Sequence, residues 1–122
     1  MQILRAAEDY LEAILMIHER QGYVRSTDVA EQLGISKPSV SNATKRLRES
    51  EYLTTDPAGM LVLTASGMEI ASQIYARHRA LTDFFIRIGV SPEQAREDAC
   101  KIEHDISQET FEALCRYAGE QA

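Results

Sequence analysis

The sequence is poor in cysteine and in long apolar runs, and each scarcity excludes a class of protein. Its 122 residues include two cysteines, Cys100 and Cys115, too few for a disulfide framework. The longest unbroken apolar run, residues 13–17, is far shorter than the about 20 residues that a membrane-spanning helix needs. No basic segment leads into an apolar stretch near the first residue. We therefore expect a cytoplasmic globular protein with no membrane partner.

Common enzyme motifs are also missing. The chain has no nucleophile elbow, no phosphate-binding loop and no His-Glu-x-x-His arrangement. We expect that the protein is not an enzyme and takes no small organic substrate.

Charge is distributed unevenly along the chain. The net charge is −6 and the isoelectric point is near 5.0, which taken alone argues against a nucleic-acid partner. Residues 37–48 nevertheless contain four cations and no acid, whereas residues 65–122 contain ten acids and six bases. A basic segment on an acidic body indicates an anionic partner for that segment.

Apolar spacing and capping signals predict a helix-turn-helix followed by a hairpin. Helical spacing covers residues 3–20, and Ser26-Thr27-Asp28 is expected to cap a short helix that ends at Leu33. Ser36 is expected to cap a third helix that buries Val40, Ala43 and Leu47. Residues 53–63 are typical of a β-hairpin with a four-residue turn.

Three more helices are predicted after the hairpin, over residues 64–88, from 91 to about 104, and from 107 to about 119. The expected fold class is mainly α with a small β-hairpin. A winged helix-turn-helix domain is predicted over residues 1–64 and an all-helical domain over residues 65–122.

The third predicted helix carries the small polar and basic side chains of a DNA recognition helix. Asn42 is suited to a base edge and Pro38 to a thymine methyl group, while Lys45 and Arg46 are suited to phosphates. A solvated helix face in a protein-binding winged helix is the alternative. One winged helix reads few base pairs, so a homodimer on a palindromic operator in double-stranded DNA is expected. The predicted DNA-binding residues are Thr27, Ser36, Lys37, Pro38, Ser39, Ser41, Asn42, Lys45 and Arg46.

Cys100, Glu103 and His104 form the most informative cluster of the second half. On one helix these positions share a face, and their side chains suit a first-row transition metal. Asp9 and Glu12, three residues apart, are carboxylates that would complete such a site. The spacing leaves a plainer alternative open: a surface Glu-His pair beside a buried cysteine, with a solvated acidic stripe on the first helix.

Six motifs in a fixed order cover nearly the whole chain. They are Glu8-Asp9-Tyr10-Leu11-Glu12-Ala13-Ile14, Val29-Ala30-Glu31-Gln32-Leu33, Ser36-Lys37-Pro38-Ser39-Val40-Ser41-Asn42, Leu63-Thr64-Ala65-Ser66-Gly67, Arg77-His78-Arg79 and Asp98-Ala99-Cys100-Lys101-Ile102-Glu103-His104. With these motifs the sequence resembles the family of metal-dependent transcriptional repressors that includes the diphtheria toxin repressor and the manganese transport regulator.

The resemblance implies a metal-activated repressor that binds palindromic operator DNA as a homodimer, through the helices after the hairpin, and controls metal homeostasis. It implies Fe(II) or Mn(II), two adjacent ions per subunit, with Zn(II) or Co(II) able to bind in vitro. His78, by itself typical of a surface residue, joins the implied ligands: Asp9, Glu12, His78, Cys100, Glu103 and His104. The alternatives are a thiol-based redox-sensing DNA-binding regulator and a small metal-dependent hydrolase.

Three features depart from the family's patterns. Because the sequence ends at residue 122, we expect the short, manganese-type architecture without the SH3-like domain of the longer iron type. Cys100 stands where the manganese type has glutamate and the iron type has cysteine. Thr82 and Arg96 stand where the iron type's second site has a carboxylate and an imidazole. The choice between iron and manganese therefore stays open.

Overall fold

The computed structural model describes residues 5–120, and in that part of the chain the fold is six α-helices and one two-stranded antiparallel sheet. The predicted fold class, mainly α with a small hairpin, is confirmed. The chain divides into two compact units, with the boundary between Gln73 and Ile74. The elements are α1 (Arg5–Gln21), α2 (Ser26–Leu33), α3 (Lys37–Glu49), β1 (Leu53–Thr55), β2 (Leu61–Leu63), α4 (Ala65–Arg87), α5 (Pro92–Ile102) and α6 (Gln108–Glu120).

Helix α1 supplies much of the core of the first unit. Leu11, Ile14 and Ile17 recur at helical spacing, and all three side chains are buried. The helix packs against α2, α3 and β2. Residues 3 and 4 of the predicted first helix lie outside the described part of the chain. The amphipathic pattern of this helix thus builds the platform on which the helix-turn-helix rests.

Helix α2 begins differently from the sequence prediction. Its N-cap is Arg25, and the buried Asp28 side chain accepts the Arg25 backbone N–H at 2.9 Å. The Arg25 guanidinium also donates to the Asp28 carboxylate, and this pairing lowers the pKa of Asp28 to about 2. The acid at the third helical position therefore performs the capping expected of the Ser26-Thr27-Asp28 segment, as in one half of a capping box.

Helix α3 follows a tight turn. Gly34 ends α2 with φ of 67°, a left-handed conformation that glycine adopts without strain. Ser36 caps α3 by accepting the Ser39 backbone N–H at 3.3 Å, as predicted. On the inner face Val40 and Leu47 are buried as expected, but Thr44 is buried where Ala43 was expected. The Thr44 hydroxyl tolerates this position because it donates to the Ser41 carbonyl at 3.1 Å.

The hairpin pairs Leu53 with Leu63 and Thr55 with Leu61. Its loop covers residues 56–60, one residue more than the predicted four-residue turn, because β2 begins at Leu61. The Asp56 carboxylate accepts the backbone N–H groups of Ala58 and Met60, each at 2.9 Å, and so closes the loop on itself.

Thr64 caps α4 by accepting the Gly67 backbone N–H at 3.1 Å. Gly67 packs against the Tyr52 carbonyl oxygen so closely that a β-carbon would overlap it. Glycine is therefore required where the first turn of α4 crosses the chain that enters the hairpin.

The second unit holds the remainder of α4 together with α5 and α6. Its buried side chains include Leu81 of α4 and Ala95 and Ala99 of α5. Ser107 begins α6 by accepting the Thr110 backbone N–H at 3.1 Å. Between residues 5 and 120, none of the helices has both the length and the apolar character needed to cross a membrane.

Candidate metal centre and nucleic-acid interface

His78, Cys100 and Glu103 converge inside the second unit. His78 lies on α4, Cys100 lies in the last turn of α5, and Glu103 caps the C-terminus of α5. The His78 Nδ1 atom is 2.9 Å from Glu103 Oε2 and 3.7 Å from the Cys100 sulfur. Ligand atoms of the three residues all lie within 4.8 Å of one another. One nitrogen, one sulfur and one oxygen are thus gathered at a spacing that a single ion can bridge.

The His104 ring lies beside the second oxygen of the Glu103 carboxylate. Its Nε2 atom is 3.4 Å from Glu103 Oε1, and both side chains are almost completely buried. Helix α5 ends at Ile102, two residues before the predicted end near His104, so His104 lies in the turn that follows. Glu103 therefore faces one imidazole with each oxygen, whereas the sequence predicted a single shared helix face.

The protonation of His78 follows from these neighbours. The hydrogen bonds to the Cys100 sulfur and the Glu103 carboxylate raise the pKa of His78 to about 10, although burial opposes the shift. In the absence of a bound cation the ring is therefore protonated at neutral pH and forms an ion pair with Glu103. Any metal ion bound by this nitrogen has to displace a proton.

The two carboxylates predicted on the first helix belong to the first unit. Glu12 is buried and Asp9 is half-buried on α1, and their spacing of three places them on one helix face. Their role as metal ligands stays a prediction. In the second unit, Thr82 is half-buried on α4 and Arg96 is exposed on α5. Neither side chain is a usual metal ligand.

The outer face of α3 presents the predicted DNA-binding residues to solvent. Asn42, Lys45 and Arg46 are exposed, and Glu49 at the C-terminal end is the first acid of this helix. The Ser36 and Ser39 hydroxyls hydrogen-bond each other at 2.9 Å, which fixes the first turn. The remaining members of the predicted set are exposed too: Thr27, Ser36, Lys37, Pro38, Ser39 and Ser41. This face has the accessibility and charge that a recognition helix requires.

Comparison with known proteins covers both halves of the chain. The model for the iron dependent repressor N-terminal DNA binding domain matches residues 2–61. The model for the iron dependent repressor metal binding and dimerisation domain matches residues 64–121. The HTH-type transcriptional regulator MntR of Shouchella clausii is 39% identical over 107 residues, which are 88% of this chain and 75% of that relative. The chain belongs to the iron-dependent repressor family.

Solved structures of iron-dependent repressor relatives agree with this assignment. A manganese-dependent transcriptional repressor in complex with manganese is 28% identical with a TM-score of 0.85, over 93% of this chain and 52% of that chain. IdeR of T. acidophilum is 26% identical with a TM-score of 0.83, over 98% of this chain and 55% of that chain. The chain spans about half the length of these solved structures. The resemblance seen in the motifs is confirmed, and the relatives favour neither a hydrolase nor a redox sensor.

The donor set of this iron-dependent repressor fits a divalent transition metal. The Glu103 side chain is fully buried, and within the described residues its Oε1 atom accepts no hydrogen bond. A buried carboxylate oxygen with an unmet lone pair is costly unless a cation or donor approaches it. The imidazole of His78, the thiol of Cys100 and the carboxylate of Glu103 are donor groups that suit iron, manganese, cobalt or zinc.

Arg77 makes contacts beside this candidate site that the sequence did not predict. Its guanidinium donates to the backbone carbonyls of Glu103 at 3.1 Å and Ile106 at 2.7 Å. It also donates to Gln108 Oε1 at 2.7 Å and stacks over the Phe111 ring at 5.3 Å. The only sequence signal was its place next to His78, because partners 26 and 29 residues away leave no periodic pattern.

Proposed function

We propose that this protein is a metal-activated transcriptional repressor that binds palindromic operator DNA as a homodimer and controls metal homeostasis. The observation that carries the proposal is the buried Glu103 carboxylate set between His78, Cys100 and His104. This cluster lies in the segment matched by the metal binding and dimerisation model. We further propose that the protein acts in the cytoplasm, with neither a membrane partner nor a small organic substrate.

We propose that two adjacent ions, Fe(II) or Mn(II), are held by six side chains. His78, Cys100, Glu103 and His104 come from the second unit, and the resemblance adds Asp9 and Glu12 from α1. Support for two ions comes from Glu103, whose two oxygens face different imidazoles. The thiol suits iron, while the carboxylates suit manganese, so both metals remain within the proposal, and zinc or cobalt would also bind in vitro.

We propose that the exposed face of α3 reads the operator and that the segment over residues 65–122 forms the dimer. Asn42 and the serines would contact base edges, while Lys45 and Arg46 would contact phosphates. The relatives' names as transcriptional regulators and the match of residues 2–61 support this assignment. The segment boundaries stay those predicted from the sequence.

The bound cations would supply positive charge to a set of carboxylates. Asp9, Glu12 and Glu103 carry like charges, and on this proposal they bind the same ions, so neutralisation lowers the cost of holding them together. His78 would release its proton to solvent, and Glu103 would then face a cation in place of the imidazolium. The equilibrium between dimer states would thereby shift toward the one whose recognition helices are spaced for DNA.

A selection followed by a titration tests the proposal. Duplexes that bind the protein with Mn(II) are first selected from a randomised pool. A selected duplex carrying a fluorophore is then titrated with the protein under anaerobic conditions, in the presence of Mn(II), Fe(II), Zn(II) or a chelator. We expect tight anisotropy binding with Mn(II) or Fe(II), a signal that saturates at two chains per duplex when the duplex concentration is far above the dissociation constant, and weak binding with chelator. Equal affinity with metal and with chelator would contradict metal activation.

A further inference from the structure

Resting on the proposed metal centre, we propose that Arg77 is its positioning residue: it holds the turn that carries Glu103 and His104 in place against α4. Arg77 immediately precedes His78 on α4. One helix therefore carries both a proposed ligand and the side chain that hydrogen-bonds to the backbone of another, Glu103. The guanidinium touches the Glu103 carbonyl rather than its carboxylate, so it orients this residue without competing for its ligand oxygens.

The turn needs such a partner because it follows a helix end. The last carbonyls of a helix lack intrahelical partners, and α5 ends at Ile102, directly before the turn. One nitrogen of Arg77 bonds the carbonyls of Glu103 and Ile106, which flank His104. A planar guanidinium offers several donors in fixed directions, which a flexible ammonium does not. The two ligand-bearing residues of the turn are thereby fixed at both ends.

The same side chain ties the turn to α6. Its second terminal nitrogen bonds Gln108 in the first turn of α6, and the guanidinium lies over Phe111 one turn further on. Residues that hydrogen-bond to metal ligands without contacting the metal orient those ligands, and their removal lowers metal affinity by roughly 10–100-fold. A loss of that size is expected for Arg77→Met, which keeps an apolar stem and removes every donor.

Arg79→Met is the matched control. Arg79 lies on the other side of His78 on the same helix, and it stacks over the Tyr75 ring at 5.2 Å, much as Arg77 stacks over Phe111. It is exposed. Removing it deletes the same charge and a similar ring contact. A difference between the two variants therefore reports the hydrogen bonds that Arg77 donates to the Glu103 and Ile106 carbonyls and to Gln108.

The first measurement uses the metal-free protein. Amide hydrogen exchange should accelerate in Arg77→Met at Glu103, Asp105 and Ile106, whose N–H groups bond the carbonyls of Ala99 and Ile102. Amides within α4 should keep their protection. A uniform loss across the second unit, or no loss at all, would overturn the positioning role.

The second measurement is a Co(II) titration followed by absorption spectroscopy up to saturation, which gives both the affinity and the spectrum of the bound ion. Arg77→Met should bind about tenfold or more weakly and show altered d–d bands, because the ligands are displaced; Arg79→Met should match the native protein. Arg77→Lys should recover part of the affinity, and it carries the test if Arg77→Met does not fold. Native spectra from both Arg77 variants would overturn this inference alone. A native protein that takes up no cobalt would overturn the proposed function as well.

Discussion

At the scale of single residues, Glu103 is the centre of the candidate metal site. Its carboxylate is fully buried, with Oε2 2.9 Å from the His78 ring and Oε1 3.4 Å from the His104 ring. In the metal-free chain the positive His78 compensates this buried charge, since the pKa of His78 is raised to about 10, chiefly by Cys100 and then by Glu103. Without metal, the Glu103 carboxylate therefore pairs with the positive His78 ring, and on the proposed function it would bind a cation once the ring has lost its proton.

Glu103→Gln and His104→Ala should abolish metal-activated DNA binding while leaving a folded dimer. The amide of Gln fills the same volume but carries no charge to neutralise a cation, and Ala removes the imidazole. Anisotropy of the selected duplex with Mn(II) measures the first effect, and sedimentation measures the dimer. Glu97→Gln, an exposed site on α5, is the control. Unchanged DNA affinity with metal in both variants would contradict the ligand assignment.

Cys100→Glu should change which metal the protein prefers. Thiolate favours later and softer ions, while manganese favours oxygen, so the variant should bind Co(II) and Zn(II) more weakly and Mn(II) equally or better. Calorimetric titration of both proteins with Mn(II) and Co(II) compares the affinities, and Co(II) stands in for Fe(II). Cys115→Ser on α6 is the control, since Cys115 is also a free thiol. Absence of a sulfur-to-cobalt band in the native protein, with unchanged affinities in Cys100→Glu, would remove Cys100 from the ligand set.

At the scale of helices and strands, local patterns predicted the order of elements, and tertiary contacts set the details. Gly34, Ser36, Thr64 and Ser107 end or begin helices where the sequence placed them, since these signals act within a few residues. The end of α5 was missed because the turn after Ile102 is held by Arg77, 26 residues before Glu103. That His78 joins Cys100 and Glu103 was predicted from the family resemblance, because spacing along the sequence cannot reveal contacts between different helices.

The start of α2 should depend on Asp28 and on pH. Asp28→Asn should cost about 1 kcal/mol of folding stability at pH 7, as for loss of a helix cap. Because the pKa of Asp28 is lowered from 3.8 to about 2, its contribution is present above about pH 4 and is lost as pH falls through 2. Urea denaturation of both proteins from pH 7 to pH 2 should show their difference shrink. Asp83→Asn is the control. Asp83 forms an exposed surface ion pair with Arg87 at 3.7 Å, so its loss should change stability little.

The phosphate contacts proposed for α3 should be independent of sequence. Lys45→Ala and Arg46→Ala should weaken binding about equally on selected and random duplexes. Each should also reduce the slope of log affinity against log salt by about one. Arg96→Ala, an exposed arginine on α5, is the control for loss of one charge. A changed base preference in the repeated duplex selection would instead make these residues base readers.

At the scale of the whole molecule, the exposed basic residues of α3 and the candidate sulfur and imidazole ligands lie in different parts of the chain. The exposed basic face of α3 lies in the first unit, whereas the candidate sulfur and imidazole ligands lie in the second. An acidic protein can present a basic face in this way, because residues 37–48 carry four cations and no acid, whereas acids outnumber bases over residues 65–122. Metal uptake by the acidic part would also reduce its net negative charge, which favours approach to DNA.

Metal should stabilise the folded protein, and by more at higher pH. At a free Mn(II) concentration 100 times the dissociation constant, the gain is about 2.7 kcal/mol. Without metal, the raised pKa of His78 gives a stabilisation that is complete below pH 6.5 and is lost as pH rises through about 10. With metal the same proton competes with the ion, so affinity rises with pH. Denaturant midpoints with Mn(II) and with chelator should therefore differ more at pH 8 than at pH 6, and the difference should vanish in Glu103→Gln. A gap that is larger at pH 6 would contradict the proposed exchange of a proton for a metal ion at His78.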